Sequence, residues 1–175
     1  MDYYNALLSG HQNQKIEQVK TSDGKIQTIS GTGEASVVEI HLVDDQGEAI
    51  KLLNVGQKVT LRVIVEVYED IPHLVFGYGI KDRLGQVIYG TNTELKKQPI
   101  FNVKQGQRCE LNFTFNANLG VGHFSIQTAL VSSDTHLDNN YEWRDLALLF
   151  EVVNFDKNHF TGITWLDPQI GIKNI

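Results

Sequence analysis

From Glu34 onward, apolar residues recur at every second position, the period of a half-buried β-strand. The clearest run is Thr60 to Tyr68, T-L-R-V-I-V-E-V-Y, in which Leu61, Val63, Val65 and Val67 share one face. Before it, Val38, Ile40 and Leu42 alternate with Val37, Glu39 and His41, and Asp44-Asp45-Gln46-Gly47 makes a turn. Leu74 to Ile80 reads as a strand, and Gln86 to Tyr89 returns from the turn Asp82-Arg83-Leu84-Gly85 as a hairpin. Further strands are expected at Cys109 to Phe115, with Leu111, Phe113 and Phe115 inward, and at Ala147 to Val153. Between them, Gly122 to Val131 sets Phe124, Ile126, Thr128 and Leu130 against His123, Ser125, Gln127 and Ala129. About seven short strands with Gly/Asn/Asp turns, and no long segment of period 3.6, predict an all-β, Ig-like antiparallel sandwich.

The two ends read differently. Residues 3 to 9 look like the last turns of a helix, with Gly10 suited to the position just past its end. From His11 to Gly33 the chain is polar with isolated apolar residues, which predicts a linker. The division is therefore a helix end and linker over 1–30 and a sandwich over 31–175. At the other end, Thr161 to Leu166 follows a polar connector and is a candidate last strand. Its Ile163, Trp165 and Leu166 are candidates for exchange between protomers.

Composition narrows the function. The net charge of -6 argues against nucleic acid as a partner, because phosphate neutralisation needs a clustered basic face. A lone cysteine, Cys109, allows no internal disulfide. With no secretion signal or long apolar run, this predicts a cytoplasmic location. The sequon Asn112-Phe113-Thr114 then reads as chance. The phosphate-binding loop, Gly-x-Ser-x-Gly and His-Glu-x-x-His motifs are absent, and no carboxylate pair stands out for glycoside hydrolysis. No catalytic residue, metal site or cofactor is predicted. The acidic cluster Asp134, Asp138, Asn139 and Asp145 has the ligand types for calcium but reads as a solvated loop.

What remains is a binding surface. Sugar recognition needs flat aromatic faces, amides and charged groups. Tyr141, Trp143 and Arg144 offer these within a few residues. His123 and Gln127 lie on the strand face opposite the core residues, and Tyr89 and Asn92 are placed to border the same groove. Gly77 and Gly79 share one strand face, where a missing Cβ admits either a neighbouring chain or a ligand.

Five blocks, in order, carry a family resemblance: Glu69-Asp70-Ile71-Pro72, Val75 to Asp82, Gly85 to Thr93, Leu119 to Phe124, and Gly162 to Leu166. Together they resemble the C-terminal domain of Wzt-type proteins, the ATP-binding subunits of ABC transporters that export O-antigen polysaccharide. The resemblance spans roughly residues 31 to 172, and Asp2 to Leu8 is similar to the tail that follows the nucleotide-binding domain. It implies an Ig-like homodimer with an exchanged C-terminal strand. It implies recognition of the finished, often chemically capped, non-reducing end of O-antigen polysaccharide at the cytoplasmic face of the inner membrane. The implied partners are an N-terminal ATP-binding domain and a transmembrane permease. The site residues named above rest on the strand-face reading, not on a motif of that family.

Overall fold

The computed structural model describes residues 15–20, 24–132 and 140–175. Twelve strands are described: β1 (Lys15–Lys20), β2 (Ile26–Gly31), β3 (Ala35–Val43), β4 (Ala49–Ile50), β5 (Leu52–Asn54) and β6 (Lys58–Val67). They continue with β7 (Ile71–Lys81), β8 (Val87–Asn92), β9 (Ile100–Val103), β10 (Arg108–Asn116), β11 (Gly122–Val131) and β12 (Asn140–Val153). They form two facing sheets, so the chain is an Ig-like β-sandwich. The larger runs β1-β2-β12-β11-β7-β8, with β5 beside β12 and β9 beside β7; the smaller runs β10-β6-β3-β4. All pairings are antiparallel except β12 with β5. The expected helix at residues 3 to 9 lies outside the described residues.

The core sits between the sheets and follows the alternation in the sequence. Val59, Leu61, Val63, Val65 and Val67 of β6 all point inward and are fully buried. They meet Phe76 and Ile80 of β7, Ile126 and Leu130 of β11, and Phe150 and Val152 of β12. Each such side chain contributes about 1.5–3 kcal/mol through burial. Stacked Phe124 and Phe150, with ring centroids 5.5 Å apart, fill one end.

β7 and β11, at the middle of the large sheet, are buried on both faces. Beyond their inward residues, Val75, Ala129 and Val131 are also covered, forming a second small cluster with half-buried Trp143. The large sheet thus has a semi-apolar outer face, which a two-layer sandwich does not require.

Four features depart from the sequence reading. Residues 15–20 and 26–31 are not linker but the hairpin β1–β2, whose second strand joins β12 through Trp143 opposite Ser30 and Arg144 opposite Ile29. Every residue of β1 is exposed, so this strand carries no hydrophobic signal. In β3 a register shift between Val37 and Glu39 reverses the parity. Val37 and Leu42 are both buried, while Val38 faces solvent. β12 begins at Asn140 rather than Ala147, seven residues early. Thr161 to Leu166 forms no strand; only Thr164 makes a bridge, with Leu119, and Trp165 N–H donates to the Asn118 carbonyl.

Candidate functional site

The outer face of the large sheet is ordered in rows by strand register. In one row Asn92 of β8 lies opposite Gly77 of β7, Gly77 opposite Ala129 of β11, and Ala129 opposite Trp143 of β12. In the next, Gly90 lies opposite Gly79, and Gly79 opposite Gln127. Two glycines and an alanine in the middle, with larger side chains at the margins, make a trough. Its volume is about 250 Å³, and Val87, Leu95, Asn92, Gln127 and Trp143 are among the residues lining it. Three inter-strand steps of about 4.8 Å separate β8 from β12. That span of roughly 14 Å admits a sugar ring lying on the floor.

The glycines have a steric reason as well as an open-floor role. A Cβ on Gly79 would stand 3.1 Å from the Gln127 amide nitrogen, and one on Gly77 would stand 3.3 Å from the Asn92 Cβ. The two amide side chains therefore lie close over the glycine backbone. The Asn92 side-chain oxygen, Oδ1, accepts from the Leu95 N–H at 2.7 Å, which fixes the turn after β8 and leaves the side-chain N–H groups as donors. Trp143 stands at the opposite wall, seated on Val75, Ala129 and Val131. An indole ring opposite planar amides, above a glycine and alanine floor that the Gln127 side chain partly covers, suits a ligand with C–H faces and hydroxyl edges.

Trp143, Gln127 and Asn92 of the sequence candidates are brought together here; the other four are not. Tyr141 is 5% exposed and belongs to the core cluster. It is the extra residue where Leu130 pairs with Glu142 and Val131 with Asn140. Burial, then the nearby Glu34 charge, pushes its hydroxyl pKa up. Arg144 is adjacent to Trp143 in sequence and so faces the other way. Its guanidinium donates to Glu142 at 2.8 Å and to the Ser36 hydroxyl at 3.3 Å. Tyr89 pairs with Ile80 and approaches Tyr78 at 6.1 Å, on the side of the seam between the sheets. Burial, aided by Tyr89, pushes the Tyr78 hydroxyl up to about 12. His123 is on the outer face but lines a different depression, with Ser125, Lys81 and Asp145.

Of the calcium candidates, Asp134, Asp138 and Asn139 lie outside the described residues, and Asp145 is held by Lys81 at 3.0 Å. The described residues contain no group of three or more His, Cys, Asp or Glu arranged to hold a metal. Sequence reasoning missed Gly90 and Lys81, and weighed Asp145 only as a calcium ligand. Lys81 could have been flagged as the charged residue that continues the Gly77–Gly79 face.

Among solved structures, the C-terminal domain of wzt matches with a TM-score of 0.73 at 19% identity, covering 93% of each chain. Pseudomonas fluorescens alkylpurine DNA glycosylase AlkC bound to abasic-site DNA matches at 13% identity and a TM-score of 0.43, over 69% of this chain and 30% of that one. Listeria innocua β-glucosidase in complex with glucose matches at 12% identity and 0.38, over 75% and 17%. No curated protein sequence matches the chain. The family model of the Wzt C-terminal domain matches residues 26–166, and the chain belongs to that family.

Proposed function

We propose that this chain binds the non-reducing, often chemically capped, end of an O-antigen polysaccharide without catalysis, and so selects the substrate of an ABC exporter. The observation that carries this reading is the glycine-floored trough between Asn92 and Trp143. Family membership supports the transporter context. In this reading the partners are an N-terminal ATP-binding domain and a permease, at the cytoplasmic face of the inner membrane. Stacking on Trp143 and hydrogen bonds from the amides of Asn92 and Gln127 provide affinity. A trough open at the surface can take the last units of a polymer. Calorimetric titration with purified O-polysaccharides, intact and with the non-reducing terminus removed, tests it. Saturable binding to one polymer that disappears on trimming supports end recognition. Equal binding to trimmed chains counts against it.

A second reading, a dimerisation module, is favoured by the C-terminal segment. Trp165 docks on Gly56 of its own chain, where an added Cβ would come within 2.6 Å of the indole, and Lys157 lies 5.2 Å from the same ring centroid. Beyond it Leu166, Ile170 and Ile172 are 81%, 83% and 88% exposed. The alternating β-branched Ile170 and Ile172 in that state suit pairing with a strand of a second copy. Leu166 then leads into the exchanged element, while Ile163 and Trp165, which pair with Gly120 and Asn118 of their own chain, anchor its base. Deleting residues 167–175 is expected to convert a dimer to a monomer while leaving the melting temperature of the sandwich within a few degrees. Light scattering at micromolar concentration checks this, and a monomeric full-length chain would sink strand exchange.

A further inference from the structure

Beside the trough, on the same outer face, lies a second depression of about 460 Å³. Its floor holds Lys81, 5% exposed, Ser125, 7% exposed, and Asp145, whose Oδ1 is 3.0 Å from the Lys81 ammonium. Lys81 Nζ also lies 5.8 Å from the centroid of the Trp143 ring, so the two depressions adjoin. A buried ion pair on the solvent side of a sheet is costly to build, and structure alone gives little return for it.

The backbone is distorted beside this pair. Thr128 pairs with Arg144 and Ile126 with Leu148, so Asp145, Leu146 and Ala147 together face the single residue Gln127. Leu146 at the centre has φ of 47°, a conformation that a leucine rarely adopts. The Gln27 amide of β2 holds the bulge by donating to the Leu146 carbonyl at 2.8 Å. Backbone strain supported in this way clusters at ligand sites.

We propose that Lys81, Asp145 and Ser125 form a second sugar subsite, contiguous with the trough, that recognises a vicinal diol of the neighbouring pyranose unit. This rests on the glycan reading of the trough. With Oδ1 engaged by Lys81, the carboxylate retains Oδ2 to accept from a hydroxyl. The ammonium donates to the adjacent hydroxyl oxygen, and Ser125 can do either. Hydrogen bonds to charged groups are the strong kind, and a site built to bond a hydroxyl discriminates sharply against its absence. Trp143 would stack one unit, and the ion pair would read the hydroxyls of the next.

The test is amide and indole chemical-shift mapping of the full 175-residue chain with methyl glycosides of glucose and galactose and their 3-deoxy and 4-deoxy analogues. A glycoside is expected to shift Lys81, Ser125 and Asp145 saturably. Removing one hydroxyl of the diol should weaken that response at least tenfold. Asp145→Asn should do the same while the Trp143 indole response persists. Should Asp145→Asn disturb folding, Ser125→Ala leaves the ion pair intact and is expected to weaken the response several-fold. A glycoside that moves Trp143, Gly77 and Asn92 but not Lys81, Ser125 and Asp145 overturns the second subsite and leaves the trough standing. Unchanged affinity in both variants overturns it as well. Glycosides that move neither region defeat the trough reading and this proposal with it.

Discussion

Trp143→Ala is expected to weaken binding of the cognate polysaccharide by roughly 30-fold or more, with a smaller effect on folding. An aromatic anchor at the centre of a binding surface commonly contributes about 2 kcal/mol or more, and tenfold in affinity corresponds to about 1.4 kcal/mol. The indole covers Val75, Ala129 and Val131, so removing it does expose apolar surface. It does so on the outer face, away from the main core, and a cost of about 1–2 kcal/mol is expected there. At 175 residues this lowers the melting temperature by a few degrees. Titration calorimetry and thermal melting on the same preparation separate the two effects. A large drop in melting temperature with unchanged affinity would make Trp143 a structural residue only.

The largest effect on stability is expected from Glu142→Ala. Glu142 is 5% exposed and reaches from the large sheet to the small one. One oxygen accepts from the Val37 N–H at 3.1 Å; the other takes the Ser36 hydroxyl and the Arg144 guanidinium. Arg144 Nε is already a buried donor without a partner among the described residues. Removing the carboxylate would leave a cation with 17% side-chain exposure and a buried backbone N–H unpaired. Breaking a buried pair from one side costs about 3–5 kcal/mol. The melting temperature should fall by on the order of 10 °C. Replacing Glu142 with glutamine should recover part of that loss, since its amide oxygen can still accept from Val37. A melting temperature for Glu142→Ala within two degrees of the wild type would show that the clasp contributes little.

The fold was largely legible because the core strands obey simple alternation. β6 buries every second residue, and the glycine turn at Asp82 to Gly85 closes the expected hairpin. What escaped was structure without an apolar signal. β1 is wholly exposed, and in β2 the buried outward-facing residues are Thr28 and Ser30, which read as loop composition. The start of β12 at Asn140 was obscured by the polar residues of 139 to 145.

The site was half legible. Once β12 is known to reach Asn140, Trp143 and Arg144 must face opposite ways, as neighbours on a strand do. Tyr89 and Asn92, three apart, likewise cannot share a face. The bulges were not legible. Neither the extra residue that turns Tyr141 into the core nor the three-for-one bulge beside Asp145 has a glycine or proline to announce it. Both depend on pairings with β11 that local sequence does not encode.

The measurement that bears most directly on the account is a crystal structure of the chain bound to an oligosaccharide cut from the non-reducing end of its cognate polysaccharide. The account predicts a terminal sugar over Gly77, Gly79 and Gly90, stacked against Trp143 and within hydrogen-bond distance of the Asn92 or Gln127 amide. A sugar seated instead in the seam between the sheets, against Tyr89 and Phe113, would contradict it.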